Sequence, residues 1–304
     1  MTVDAVLIAG PTASGKSAVA LALAERVRGT VINADSMQVY RELRVLTARP
    51  SAEDEARERH RLYGHVSVKE RYSVGRYQDD ALHALGNVQQ VERVPIFTGG
   101  TVLYFDVLTK GLSPIPPIAP EIRTRVRERY ETMGRDTFYE DLLRRDPETS
   151  GVLRPADTQR LLRAANVLEA TGRPLATWQE MSGEPVLKGL KLARYVIAPP
   201  REVLWERIER RFDAMVANGA LEEARALTGL DPTLPAAKVL GLPQLWRHLA
   251  GETSLETAIS ESKLATRQYV KRQTTWLRNR MKDWKWLEFD DISNIITVIV
   301  HDLS

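Results

Sequence analysis

Residues 10–17 have the composition and spacing of a loop that binds phosphate groups. They read GPTASGKS and fit the pattern GxxxxGK[ST] at every position. In such a loop, successive backbone N–H groups and the start of the following helix bind phosphate oxygens, and the lysine neutralises their charge. A glycine-rich turn without a ligand is the alternative, which the intact motif disfavours. The predicted phosphate site consists of Gly10, Pro11, Thr12, Ala13, Ser14, Gly15, Lys16 and Ser17.

Ser17 also supplies a candidate metal ligand, because the hydroxyl at this position of the motif commonly reaches Mg²⁺. We therefore predict Mg²⁺ as the cofactor. The motif does not identify the phosphate compound. A nucleoside triphosphate is the usual ligand, but the diphosphate of an organic group would satisfy the same donors.

A carboxylate and a threonine follow two later predicted strands. Asp35 comes directly after residues 30–34, and Thr101 closes a TGGT sequence after residues 94–97. Both should lie near the bound phosphates, because the carboxyl ends of parallel strands face the ligand crevice. Asp35 could associate with Mg²⁺ or act as a general base, and a helix N-cap is the structural alternative. Thr101 could hydrogen bond a leaving oxygen.

The elements that position these groups form a βαβ unit. Residues 3–9 and 30–34 predict strands on either side of a helix at 16–28, and 94–97 and 192–198 predict further strands. We therefore expect an α/β fold, a P-loop NTPase-like parallel sheet flanked by helices. Two long helical stretches, 201–229 and 254–286, complete the pattern.

A proline-rich segment at residues 113–120 separates the predicted strands before it from a region with a different sequence pattern. From residue 121 to about 181 the pattern is charged and helical, without a convincing strand. We predict a catalytic core made of residues 1–113 and 187–304, with its C-terminal helices, interrupted by an all-helical insertion domain at 114–186.

Composition excludes several kinds of site. The chain has 304 residues and no cysteine, which excludes disulfides, thiolate nucleophiles and Cys-bound zinc. Its five histidines show no metal-binding spacing. It has no apolar run of about 18 residues and no signal-peptide pattern at its start. We expect a cytoplasmic monomer that does not bind membranes.

Net charge is only +3, but one stretch near the C-terminal end is strongly basic. Residues 267–286 carry seven Lys and Arg residues and one Asp. At 100° per residue, Arg267, Lys271 and Arg278 share one helix face, and apolar residues such as Val270 share another. The pattern favours a nucleic-acid interface, and a solvated basic face is the alternative.

Six segments, in order, resemble the tRNA dimethylallyltransferase (isopentenyltransferase) family. They are GPTASGKS at 10–17, DSMQVYR at 35–41, TGGTVLYFDVLTKGLSP at 98–114, DTQRLLRAANVLEATGRPL at 157–175, RIERRFDAMVANGALEEARAL at 207–227 and TRQYVKRQTTWLR at 266–278. The chain departs from the family in places. Leu46 begins LTARP where GTAKP is usual, so Arg49 replaces a lysine, and Leu242 and Pro243 stand where YK or YR is usual.

The resemblance implies an enzyme that transfers a dimethylallyl group from dimethylallyl diphosphate to N6 of the adenosine immediately 3′ of the anticodon in tRNA. It implies that Asp35 accepts the N6 proton, that Thr101 hydrogen bonds the bridging oxygen, and that Arg211 binds the diphosphate. The tRNA-binding residues that it suggests are Asp35, Ser36, Met37, Gln38, Gln159, Arg160, Leu161, Leu162, Arg163, Arg267, Lys271, Arg272 and Arg278.

Two other functions are compatible with a phosphate loop. A small-molecule kinase would bind ATP there and would need arginines over the γ-phosphate and a small acceptor pocket. A non-catalytic RNA-binding ATPase would need a strand that ends in Asp, whereas residues 94–100 end in TGG.

Overall fold

The computed structural model describes residues 3–181, 183–288 and 291–303, which form two compact units. The first unit runs to Thr109 and resumes at Val186, and the second comprises Lys110–Pro185. The predicted insertion, 114–186, covers nearly the same residues as the second unit. None of the helices in the described ranges combines the length and apolar character needed to span a bilayer.

The first unit contains a six-stranded sheet in the described part of the chain. The strands are β1 (Ala5–Ala9), β2 (Gly29–Asn33), β3 (His60–Arg61), β4 (Val94–Gly99), β5 (Leu192–Ile197) and β6 (Lys285–Leu287). They lie in the order β3-β2-β4-β1-β5-β6, and every neighbouring pair is parallel. The expected α/β fold with a parallel sheet is therefore confirmed.

Helices connect and flank the strands. Those of the first unit are α1 (Lys16–Val27), α2 (Ala52–Arg57), α3 (Val74–Gln90), α4 (Val102–Lys110, which ends just inside the second unit), α10 (Arg201–Ala217), α11 (Ala220–Ala226), α12 (Leu242–Leu249), α13 (Leu255–Arg280) and α14 (Ile292–Leu303), with a 3₁₀ turn at Pro235–Lys238. Those of the second unit are α5 (Pro120–Met133), α6 (Arg135–Arg145), α7 (Pro147–Ser150), α8 (Thr158–Thr171) and α9 (Leu175–Gln179).

The centre of the sheet is buried on both faces, as the continuous apolar sequence of β1 predicts. On one face, Val6 and Ile8 of β1 pack in a cluster with Leu23 of α1 and Ile299 of α14. This packing fixes the carboxyl end of β1 and the start of α1, between which the phosphate loop lies.

Two strands, β3 and β6, are absent from the predicted elements because they are too short to show an alternating pattern. The predicted helix at 254–286 is wrong at its C-terminal end. Helix α13 ends at Arg280, and residues 285–287 instead pair with β5 as an edge strand. Lys282 and Lys285 therefore do not belong to the basic helix face. The predicted helix at 201–229 is two helices, α10 and α11.

The second unit has its own hydrophobic core, formed by helices alone in its described residues. Phe138 of α6, Val126 of α5 and Leu161 of α8 are buried together there. The predicted absence of strands from this segment is thus confirmed for the residues that are described.

We expect Phe138→Ala to destabilise the protein by about 3–5 kcal/mol, because the substitution removes a buried aromatic ring and leaves a cavity. Val152→Ala is the matched control, since Val152 is 83% exposed, and it should change the free energy of unfolding by less than about 0.5 kcal/mol. Urea unfolding followed by circular dichroism measures both. Equal losses for the two variants would contradict a packed core around Phe138.

Candidate active site

The phosphate loop joins β1 to α1 in a conformation that suits an anion. Ala13 and Gly15 have left-handed backbone angles, with φ of 64° and 89°. Ser14 N–H donates to the Pro11 carbonyl at 3.2 Å and closes the turn. Alternation of right- and left-handed residues points neighbouring N–H groups toward one position, at the positive end of α1.

A cavity of about 570 Å³ opens over this loop. Its lining is rich in cationic side chains and contains one carboxylate. The lining residues are Thr12, Ala13, Gly15, Lys16, Ser17, Ala18, Asp35, Gln38, Thr47, Ala48, Arg207, Arg210 and Arg211. The cavity is large enough for a small ligand and carries the charge that a diphosphate requires.

Lys16 is held against its own loop. Its Nζ donates to the Pro11 carbonyl at 3.1 Å. Burial lowers the pKa of Lys16 to about 8, the Asp35 carboxylate opposes this change, and the Arg211 guanidinium adds to it. An anion bound in the cavity would favour the charged ammonium.

Two arginines of α10 also bond to the loop. Arg211 Nη2 donates to Thr12 Oγ1 at 2.7 Å, and Arg207 Nη1 donates to the Ser14 carbonyl at 3.1 Å. Arg207 and Arg210 line the cavity but are not among the predicted site residues. Arg207 could have been predicted from Arg211, because residues four apart lie on the same side of a helix, whereas Arg210 adjoins Arg211 in the chain and has no such spacing.

Asp35 is fixed by its neighbours at the end of β2. Asn33 Oδ1 accepts from Asp35 N–H at 2.8 Å, and Asn33 Nδ2 donates to the carbonyls of Asp35 and Leu62. Asp35 Oδ1 accepts from Met37 N–H at 3.0 Å. The N-cap alternative is wrong, because the next helix begins only at Ala52.

Three tyrosines lie within electrostatic range of the Asp35 carboxylate. Burial raises the pKa of Tyr63, Tyr104 and Tyr269, and in each case the negative charge of Asp35 raises that pKa further. The phenols therefore stay protonated and neutral, and they add no negative charge near Asp35.

Thr101 lies beside the Asp35 segment. Its hydroxyl accepts from Ser36 N–H at 3.0 Å and donates to Ser36 Oγ at 3.3 Å. Its backbone N–H donates to the Ala34 carbonyl. The structure thus brings the two predicted catalytic residues to the same edge of the sheet, with the Thr101 hydroxyl engaged by Ser36.

Gln273 of α13 is a site residue that is absent from the sequence prediction. It is buried, accepts from Thr12 N–H at 2.9 Å and donates to the Gly100 carbonyl at 3.0 Å. Gln273 could have been noticed in the sequence because it lies on the apolar helix face, three residues after Val270 and four before Leu277. A glutamine there must find polar partners.

Thr47 and Ala48 line the cavity, and the segment 44–48 to which they belong is held from two sides. The Glu223 carboxylate of α11 accepts from the N–H groups of Arg44, Val45 and Leu46 at 2.7–2.9 Å. Gln38 Nε2 donates to the carbonyls of Thr47 and Ala48, each at 2.9 Å. The amide of Gln38, a predicted tRNA contact, is thus bonded to the protein.

The predicted cations of α13 have different environments. Arg267 forms an ion pair with Glu209 of α10. The Arg272 guanidinium lies 5.7 Å from the ring centre of Tyr269. Lys271 and Arg278 are exposed and line a second cavity of about 720 Å³ in the first unit. They present charge at the surface, whereas the charge of Arg267 is balanced.

In the second unit, Gln159, Arg160 and Arg163 of α8 are exposed, as an RNA contact requires. Leu161 and Leu162 are buried in that unit's core. Their burial leaves only their main chain for RNA, and their place among the predicted tRNA-binding residues stays a prediction.

The residues present fit a Mg²⁺ ion that arrives with a phosphate ligand. The described residues contain no cluster of three or more acidic or histidine side chains that would hold a metal alone. Ser17 is exposed at the cavity, and Asp35 lines the same space. Mg²⁺ commonly takes few protein ligands and completes its shell with phosphate oxygens and water, which suits this site.

Comparison with known proteins agrees with this geometry. The family described as IPP transferase matches residues 38–280. The tRNA dimethylallyltransferase of Nitrobacter hamburgensis is 50% identical over 299 residues, which cover 98% of this chain and 94% of that protein. That of a Bradyrhizobium species is 52% identical over 285 residues, which cover 93% of each chain.

Solved structures give the same result. The tRNA isopentenylpyrophosphate transferase of Bacillus halodurans superposes with a TM-score of 0.70 at 30% identity, covering 99% of this chain and 95% of that one. A eukaryotic dimethylallyltransferase acting on tRNA superposes with a TM-score of 0.80 at 26% identity, covering 95% and 74%. The chain therefore belongs to the IPP transferase family.

Proposed function

We propose that this protein transfers the dimethylallyl group of dimethylallyl diphosphate to N6 of the adenosine immediately 3′ of the anticodon in tRNA. The observation that carries the proposal is that Lys16, Arg211, residues of the phosphate loop and Asp35 line one and the same cavity. In such a cavity the cations can stabilise a departing diphosphate, and the carboxylate can accept a proton. The names of the two relatives described above support a dimethylallyl group as the group transferred and tRNA as the acceptor.

The reaction breaks the bond between C1 of the donor and its bridging oxygen, and C1 bonds to N6. Lys16, Arg211 and the loop N–H groups stabilise the charge that develops on the diphosphate. Asp35 takes the proton that N6 loses. Thr101 donates to the bridging oxygen after its hydroxyl hydrogen turns away from Ser36. Mg²⁺ held by Ser17, when bound, adds positive charge to the leaving group.

We propose that tRNA contacts both units. The exposed cations Lys271, Arg272 and Arg278 belong to the first unit, and Gln159, Arg160 and Arg163 of the helical insertion belong to the second. Ser36 and Met37 are partly exposed next to Asp35, where an extruded adenine would arrive. Arg267 would contribute only if RNA displaced Glu209.

One experiment separates this function from the two alternatives. Unmodified tRNA is incubated with dimethylallyl diphosphate carrying a labelled prenyl group, or with ATP labelled in the γ-phosphate. We expect prenyl label in the tRNA anticodon loop and none from ATP. Transfer of the ATP label to a small molecule would support the kinase, and RNA-stimulated ATP hydrolysis without any transfer would support the ATPase. Either result overturns the proposal.

We expect Asp35→Ala to lower the turnover number by about 10²–10⁴-fold, because a general base contributes that much. The affinity for tRNA should change little, since the carboxylate acts on one proton. Single-turnover kinetics and filter binding measure the two quantities. Asp79→Ala, at an exposed carboxylate of α3, is the control. Normal turnover by Asp35→Ala would remove this residue from the mechanism.

Affinity for dimethylallyl diphosphate should fall as pH rises through about 8, the value to which burial lowers the pKa of Lys16. The protonated ammonium binds the diphosphate, so binding is strong below this pKa and is lost above it. Titration calorimetry between pH 7 and 10 measures the effect. Lys16→Arg should bind less tightly at pH 7 but should lack this loss, because a guanidinium stays protonated. The same fall in both proteins would assign it to another group.

Lys271→Ala and Arg278→Ala should each weaken tRNA binding and lower its dependence on salt. Each lost phosphate contact should reduce the slope of log affinity against log salt by about 0.7 to 0.9. Filter binding at several salt concentrations measures the slope. Lys69→Ala removes an exposed lysine outside α13 and is the control. An unchanged slope in both α13 variants would place the interface elsewhere.

A further inference from the structure

A buried glutamine connects the phosphate loop to the segment that carries Thr101. We propose that Gln273 is a positioning residue, which holds the bound diphosphate at a fixed distance from the carboxylate of Asp35. The proposal rests on the proposed function, because it concerns the alignment of that reaction. Gln273 is only 5% exposed and lies in the C-terminal half of α13.

The partners of Gln273 leave one orientation for its side chain. Thr12 N–H can only donate, and it lies 2.9 Å from Oε1. The Gly100 carbonyl can only accept, and it lies 3.0 Å from Nε2. A single carboxamide therefore adds a side-chain link between the phosphate loop and Gly100, beyond the main-chain hydrogen bond from Gly10 N–H to the Gly99 carbonyl.

Each segment carries part of the chemistry. Thr12 is bonded through its N–H to Gln273 and through its hydroxyl to Arg211, so the glutamine and the diphosphate-binding arginine hold the same loop residue. On the other side, a Cβ at Gly100 would lie 2.4 Å from Gln273 Nε2 and 3.4 Å from Asp35 Oδ2. Only glycine lets the carboxamide approach so closely.

This arrangement sets the spacing between leaving group and base. The phosphate loop would bind the diphosphate, and Gly100 lies next to the Asp35 carboxylate. Gln273 bonds to the main chain of both segments. Transfer to N6 requires C1, N6 and Asp35 to be aligned, and a displacement of about 1 Å can cost about 10²-fold in rate. Unpaired N–H and carbonyl groups in a buried site would move to find new partners.

The test uses Gln273→Met, which keeps the length of the side chain and removes both hydrogen bonds. We expect the turnover number to fall by about 10- to 100-fold. The Kd for inorganic diphosphate with Mg²⁺ should rise by about five- to tenfold, the usual effect of one lost hydrogen bond, and the Kd for tRNA should stay unchanged. Gln268→Met, at an exposed glutamine of the same helix, should match the wild type.

A second variant, Gln273→Glu, separates positioning from general loss of structure. Its carboxylate can accept from Thr12 N–H but repels the Gly100 carbonyl, whereas its protonated form restores the missing donor. The ratio of variant to wild-type turnover should therefore rise as pH falls from about 8 to 6, because burial raises the pKa of a carboxyl group. The charged groups around this position are Lys16, Arg211 and Asp35, and taking the ratio cancels the pH dependence that both proteins share.

The outcomes are distinguishable. Wild-type turnover in Gln273→Met, or a Gln273→Glu ratio that does not change with pH, overturns the positioning role. If the wild-type protein transfers no prenyl group, the proposed function fails. The diphosphate measurements still decide whether Gln273 anchors the loop, since equal Kd values for wild type and Gln273→Met would refute the anchor.

Discussion

The site depends on holding like charges together before any anion is bound. Arg211 is close enough to help lower the pKa of Lys16, and burial removes much of the water that would screen the two cations. Both donate hydrogen bonds to neutral oxygens of the loop itself, the Pro11 carbonyl and the Thr12 hydroxyl. Neutral acceptors orient the two cations without cancelling their charge, so that charge remains available to a diphosphate.

The parallel sheet explains how these groups meet. Strands β1, β2 and β4 are adjacent, with Ile8 beside Thr98 and Asn33 beside Thr98 on the other side. The segments that leave their carboxyl ends are the phosphate loop, the Asp35 segment and the TGGT sequence. Since the three ends lie at one edge, single hydrogen bonds suffice to link them, as between Gly10 and Gly99 and between Ser36 and Thr101.

The sequence predicted those parts of the site that are encoded locally. The phosphate loop and Asp35 follow predicted strands, so their positions come from chain order alone. Gln273 bonds to Thr12 across 261 residues, and pairing of a side chain with a distant main-chain group leaves no mark in composition. The burial of Leu161 and Leu162 could have been predicted locally. The tRNA-binding prediction covers their whole motif, whereas the helical period of α8 places the leucines on the buried face.

Helix α13 has two faces with different roles, and the sequence pattern reveals only one of them. Its inner face carries Val270, Gln273 and Leu277, all buried, and its outer face carries exposed Lys271 and Arg278. A pattern of charges along the chain reveals only the outer face, which suits RNA. The inner face fixes the helix to the phosphate loop through one carboxamide, and the paired Arg267 ties it to α10, the source of Arg211. One continuous helix therefore connects the surface proposed for RNA with the loop proposed for the diphosphate. Movement of the helix surface would be transmitted to the loop, because no flexible linker lies between them.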